Sequence, residues 1–166
     1  RDQVVQIVGE THVHNRFVHD PIIHENATKS LYERLVTNCF EDSQFNVVVA
    51  HSLGEVQGFI ISKMNLAFRQ EVGQLCGSLD FIGVRPEARN RGLGVKLNQW
   101  ALYHLAEKNA VFTAVRTLAS NYAALSTCFR TGFSITSASL HFHKWIRRPA
   151  VDHRLLQPYS RDAVQW

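Results

Sequence analysis

The sequence predicts one mixed α/β domain of the α+β kind, a mostly antiparallel sheet flanked by helices. Three observations carry this. Apolar residues recur at helical spacing on either side of the middle of the chain, at Ala27, Leu31, Leu35 and Cys39 and again at Leu93, Leu97, Ala101 and Leu105. Between them lie runs with strand character, Phe45–Ala50, Val56–Met64 and Leu75–Val84, separated by turn residues. A glycine-bearing segment, 84–94, then leads from the last of these strands into the next helix. With 166 residues the chain can bury one sound core, and a second full domain is not expected.

Taken in order, Asp2 to His12 sets Val4, Val5, Ile7 and Val8 closer to a helical than to an alternating pattern; Gly9 weakens the helix, and a short strand competes. A polar, histidine-bearing loop follows, from Asn15-Arg16-Phe17 to Asp20-Pro21. Asn26 is then placed to cap the helix that carries Ala27, Leu31, Leu35 and Cys39. Leu53-Gly54-Glu55 reads as the tight turn of a hairpin. Ala67 to Val72 reads as a loop before the third strand, and Pro86 stops that strand. Gly92 to Lys108 is expected to be a helix burying Leu93, Leu97, Trp100, Ala101 and Leu105. Val111 to Thr117 reads as a short buried strand, Asn121 to Thr131 as a helix stopped at Gly132, and Phe133 to Trp145 as a final strand. The domain so defined spans 1–146. The tail, 147–166, has no period and stays unassigned, although it is a candidate homodimer contact.

Composition narrows the function. The chain is 45% hydrophobic, 10% aromatic and 19% charged, as soluble domains are. No apolar run reaches the roughly 20 residues that span a bilayer. The start, Arg1-Asp2-Gln3, lacks the layout of a signal peptide and an initiating Met, so the sequence reads as a trimmed piece of a longer chain. Cys39, Cys76 and Cys128 are odd in number and far apart, which fits neither a disulfide framework nor a paired-Cys zinc site and points to the cytoplasm. A net charge of +4 spread along the chain speaks against nucleic acid and suits a small anionic ligand. No metal is predicted: His141 and His143 share one face of an extended segment, but two such residues do not make a site.

The most informative segment is Val84-Arg85-Pro86-Glu87-Ala88-Arg89-Asn90-Arg91-Gly92-Leu93-Gly94. At a strand-to-helix junction, unpaired backbone N–H groups and the positive end of the helix dipole form an anion site. Glycines let the backbone approach a pyrophosphate closely, and Arg89 and Arg91 can add charge-assisted bonds. Alone, the segment is equally a glycine-rich helix start with solvated arginines. However, Arg89-x-x-Gly92-x-Gly94 resembles the acetyl-CoA pyrophosphate loop of the GNAT acetyltransferase superfamily, and Asn121-x-x-Ala124 with Gly132-Phe133 resembles its second signature. The matched segments run from about Leu79 to Phe133 in the family's order.

The resemblance implies a sheet splayed between the strand ending at Val84 and the strand Val111 to Thr117. The pantetheine arm of acetyl-CoA would lie in that gap against the backbone of Ile82, Gly83 and Val84. Arg89, Asn90, Arg91, Gly92, Leu93 and Gly94 would hold the pyrophosphate, and Asn121 the pantetheine, unless Asn121 is simply a helix cap. Direct attack by an amine then needs an oxyanion donor, expected near Gly83 or Val84, and a base. Asp80 is the base candidate, on the argument that it shares a strand face with Ile82 and Val84; its rival role is a strand residue in an ion pair. His14, His19 and His24 lie in the loop expected to cover the acceptor. Many family members place a Tyr four residues before the Gly of the Gly-Phe pair to protonate the leaving thiolate; this chain has Cys128 there. Cys128 is thus either a weak thiol donor or a small packing residue.

The string Asn15-Arg16-Phe17-x-x-Asp20-Pro21, followed by a helix with Leu31-Tyr32 and Leu35, resembles acetyltransferases of nucleotide-linked 4-amino-4,6-dideoxy sugars, the TDP-fucosamine acetyltransferases among them. That implies a sugar-nucleotide pocket shaped by Arg16 and Phe17. It also implies that the family's first strand precedes Arg1. Another amine (amino acid, polyamine, antibiotic or protein N-terminus) and a non-catalytic CoA-binding module are the alternatives.

Overall fold

The computed structural model of the chain describes residues 1–11, 17, 23–142, 144 and 146. Helices α1 (Asp2–Thr11) and α2 (Glu25–Glu41) precede strands β1 (Phe45–Ser52) and β2 (Glu55–Asn65). Helix α3 (Leu66–Val72), strand β3 (Cys76–Val84), a 3₁₀ turn (Pro86–Ala88), helix α4 (Leu93–Glu107), strand β4 (Phe112–Val115) and helix α5 (Tyr122–Arg130) follow. The sheet order is β1-β2-β3-β4. The first two pairings are antiparallel and the last is parallel. Among the described residues no helix is long and apolar enough to cross a membrane.

Alternation along β2 builds a core on each face of the sheet. Phe59 and Ile61 face α1 and α2, where Val4, Ile7, Val8, Val36 and Cys39 are buried against them. Ile60 faces α4 and packs with Leu79, Leu97, Ala101 and Leu105. Each fully buried large side chain contributes on the order of 1.5–3 kcal/mol. That burial is why α1 is a helix despite Gly9. Its Gln3 Oε1 also accepts from the Val56 N–H at 2.7 Å, pinning the helix to the start of β2.

Several elements differ from the sequence expectation. Leu66–Val72 is a helix because Asn65 caps it, accepting from the Phe68 N–H at 3.2 Å, and Gly73 closes it at φ 75°. His24, not Asn26, is the N-cap of α2, and it makes no side-chain bond. The buried line of α2 runs through Thr28, Val36 and Cys39, so Leu35, 40% exposed, sits beside the stripe rather than in it. Trp100 points outward at 63% exposed, and the buried polar Asn98 takes an inward place, donating to Thr131 Oγ1 at 3.3 Å. Strand β4 is not buried: it is the sheet's edge, with Phe112 42% exposed. The expected last strand is absent among the described residues: 133–142 forms no ladder with another described strand, and its first residue is tied to α5 instead, the Phe133 N–H donating to Cys128 O at 3.0 Å.

Candidate active site

The junction between β3 and α4 is built from backbone. Arg85 anchors its start: its N–H donates to Gln57 O at 2.9 Å, its Nε donates to Val56 O at 2.7 Å, and its Nη2 lies 3.8 Å from Glu55 Oε2. Asn90 and Gly92 then take left-handed conformations, φ 59° and 76°. Gly92 is the N-cap of α4 and no side chain caps the helix. The Lys96 N–H donates to Gly92 O at 3.1 Å, so the amides of Leu93, Gly94 and Val95 ahead of it have no helical carbonyl to reach. The space a Cβ would take at Gly92 is open, and at Gly94 the nearest group is Thr127 of α5, 3.6 Å away. Arg89 folds back, its Nε donating to Val84 O at 3.1 Å. Arg91 and Leu93 line a hollow of about 520 Å³ against the β1–β2 hairpin, beside His51 and Lys96.

Strands β3 and β4 part above this junction. They pair only from Cys76–Phe112 to Leu79–Val115, so beyond Leu79 no described strand pairs with β3 on that side. The bond from the Arg85 N–H to β2 sets the phase of the open edge. Backbone groups alternate along a strand, so the N–H and C=O of Gly83 turn to β2 and those of Ile82 and Val84 to the gap. The Arg89–Val84 bond is made on that open side. Val84, then, offers its N–H to the gap and Gly83 does not, which narrows the expectation of a donor at either residue. Gly83 has a different reason to be glycine: a Cβ there would lie 2.6 Å from Phe59 Cε1 and 3.0 Å from Ile7 Cγ2, blocking the approach of α1.

Asp80 is not on the face of Ile82 and Val84. Ile61 pairs with Phe81 and Ser62 with Leu79, which leaves Asp80 as the extra residue of a β-bulge. The bulge resets the alternation: Ile82 and Val84 pack in the α4 cluster, whereas Asp80 turns towards α2. There it lines a pocket of about 500 Å³ at the open end of the β3–β4 gap, with Leu35, Asn38 and Cys39 of α2, Lys63 of β2 and Arg116 beyond β4. Lys63 Nζ lies 3.7 Å from Asp80 Oδ2 and 4.6 Å from the centre of the Phe45 ring. Burial, aided by the negative charge of Asp80, pushes the Cys39 thiol up to about 11. Lys63, Cys39 and Arg116 were not legible as a group from the sequence, because three separate parts of the chain, β2, α2 and the segment after β4, bring them together.

Asn121 caps α5, its Oδ1 accepting from the Ala124 N–H at 3.2 Å. Cys128 is half-buried on the same helix, and burial raises its thiol above the ordinary value. Phe17 is partly buried, while Arg16, His14 and His19 lie outside the described residues, as do His143 and the tail 147–166. His24 is described at the start of α2 and His141 beyond α5, so neither is in this pocket. Among the described residues no group of three His, Cys, Asp or Glu side chains could hold a metal ion.

Known proteins are similar to this chain. The chain is 29% identical over 126 residues to a mycothiol acetyltransferase of Streptomyces bingchenggensis (strain BCW-1), a match covering 76% of this chain and 38% of that protein. It thus spans well under half the length of that curated relative. The fold superposes on the apo crystal structure of an aminoglycoside antibiotic 6'-N-acetyltransferase from Acinetobacter haemolyticus with a TM-score of 0.65 at 13% identity, covering 88% of this chain and 92% of that one. A ribosomal-protein-alanine N-acetyltransferase from Brucella melitensis biovar Abortus 2308 gives 0.59 at 12% identity, covering 86% and 92%. Identities this low establish the fold alone. The profile of the acetyltransferase (GNAT) family matches residues 11–133, a span that holds the loop, the parted strands and α5, and this chain belongs to that family.

Proposed function

We propose that the chain is an N-acetyltransferase that moves the acetyl group of acetyl-CoA to a primary amine held in the pocket beside Asp80. One observation carries this reading: β3 leaves β4 at Leu79, just before the uncapped start of α4. The result is an interrupted run of unpaired backbone donors, the Ile82 and Val84 N–H groups on the open edge of β3 and then the amides of Leu93, Gly94 and Val95 in the first turn of α4. That run suits acetyl-CoA. The open space at Gly92 and the free amides of Leu93 and Gly94 fit a pyrophosphate, with Arg89, Asn90 and Arg91 beside them. The outward groups of Ile82 fit an amide-bearing arm, and Asn121 stands at the N-terminus of α5.

Acetyl-CoA supplies the acyl group as a thioester, ready for attack by an amine nitrogen. The chain's own work is to orient that amine, take its proton and stabilise charge on the carbonyl oxygen. Asp80 is the group in the pocket suited to accept the amine proton. The Val84 N–H, directed into the gap, suits the carbonyl oxygen as negative charge develops on it. Cys128 suits the last proton transfer poorly. Its raised pKa leaves it a thiol at neutral pH, with no driving force to protonate another thiolate. Ser126, Thr127 or water can take that part, or CoA can leave as the thiolate.

The named acceptors of the relatives differ, from aminoglycosides to a ribosomal-protein alanine. The Asn15-Arg16-Phe17 resemblance makes nucleotide-linked amino sugars the first acceptors to try. Release of CoA from acetyl-CoA, followed with a thiol reagent over dTDP-linked 3-amino and 4-amino sugars, polyamines, amino acids and aminoglycosides, tests the reading. Saturable turnover on one class is expected. Acetyl-CoA binding with no turnover on any amine would leave a binding module and overturn the enzyme.

A further inference from the structure

We propose that the pocket selects amines carried on a molecule that also bears an anionic group, a carboxylate or a phosphate, and that Arg116 receives that anion. The inference rests on the pocket beside Asp80 being the acceptor site.

The wall of the pocket is balanced in charge, Asp42 and Asp80 against Lys63 and Arg116. Three of these four are already engaged. Asp42 Oδ1 accepts from the Gln44 N–H at 2.9 Å, and Asp80 and Lys63 pair with each other at 3.7 Å. Arg116 has no hydrogen-bond or ion-pair partner among the described residues. It stands where the chain leaves β4, directly after Val115, the last residue paired with β3. That position is the mouth of the gap. The Ser78 hydroxyl, on a residue that lines this pocket, is buried and has no hydrogen-bond partner among the described residues, which leaves an unmatched polar group in the wall.

The charge pattern decides between acceptor types. A polyamine or another multiply cationic acceptor would favour an acid-rich wall, and here each carboxylate is matched by a cation. An acceptor with one amine and one anion fits the wall as it stands, amine towards Asp80 and anion towards Arg116. The guanidinium suits both carboxylate and phosphate, since its fork matches either geometry.

The test uses two pairs of acceptors that differ in the anion. Phenylalanine against phenethylamine reads a carboxylate. A dTDP-linked 4-amino-4,6-dideoxy sugar against its methyl glycoside reads a phosphate. Binding is followed by calorimetry with acetyl-CoA absent, and turnover by CoA release. In at least one pair the anionic member should bind about 10- to 100-fold more tightly, the scale of a charge-assisted pair. Arg116→Gln should remove that margin and leave the neutral member and acetyl-CoA affinity unchanged, with Arg116→Lys recovering part of it. Equal affinity within both pairs, a preference that survives Arg116→Gln, or binding of no member overturns the proposal. Failure of the enzyme reading looks different, since it abolishes turnover on every amine whatever calorimetry finds for these pairs.

Discussion

Cys128 occupies the position at which many relatives carry a Tyr, and its surroundings argue for packing. Its carbonyl accepts from the Thr131 N–H and the Phe133 N–H, each at 3.0 Å, and from Thr131 Oγ1 at 3.1 Å, so its backbone closes α5. Its thiol is held above the ordinary value by burial, which makes it a weaker acid than the free thiol it would have to generate. Replacing Cys128 with Ala should therefore lower kcat by less than about tenfold, against the roughly 10²-fold or greater loss that removal of an acid–base catalyst brings. Steady-state turnover with a saturating acceptor checks this, and a loss above 10² would return the thiol to the mechanism. At this scale the sequence is a fair guide to identity and a poor one to direction. Arg91 is placed within the loop to add a charge-assisted bond, yet its side chain lies against the hairpin.

Strand β3 does more than its alternation suggests. Read at period two, it puts Asp80 with Ile82 and Val84; the bulge between Leu79 and Phe81 turns Asp80 to the opposite face, into the pocket under α2. A bulge is set by the pairing of two strands, so nothing within β3 alone announces it. The phase of the open edge is likewise fixed from outside, by the bond from Arg85 to Gln57. If Asp80 takes the amine proton, Asp80→Asn should lower kcat by about 10²- to 10⁴-fold. Acetyl-CoA affinity should hold, because the residue lies away from the loop. The fold should hold too, because the partly exposed pair with Lys63 is worth at most about 1 kcal/mol. Turnover within tenfold of the parent chain would confine Asp80 to that ion pair.

Across the whole molecule, what could be read in advance was what local chemistry determines. The helix over Leu93–Glu107, the hairpin turn at Leu53-Gly54, the cap at Asn121 and the stop at Gly132 each follow from residues a few positions apart. The parting of β3 from β4 was legible through the family resemblance rather than through any period. The pocket was not legible, because α2, β2, β3 and the segment after β4 each lend it a few residues. The final strand is absent over the described residues 133–142 for a related reason: alternation there signals an extended chain, and only a neighbour makes it a strand. The central claim is that the loop from Arg89 to Gly94 binds acetyl-CoA through its backbone, and Gly92 is the residue on which it turns. Gly92 sits at φ 76°, where a β-branched side chain is strained, and any Cβ would project into the open space above the helix. Calorimetric titration of acetyl-CoA into the parent chain and Gly92→Val is the most direct test, with circular dichroism confirming that both are folded. Saturable binding to the parent chain and none to a folded Gly92→Val is the predicted result, and equal affinity for the two would contradict the account.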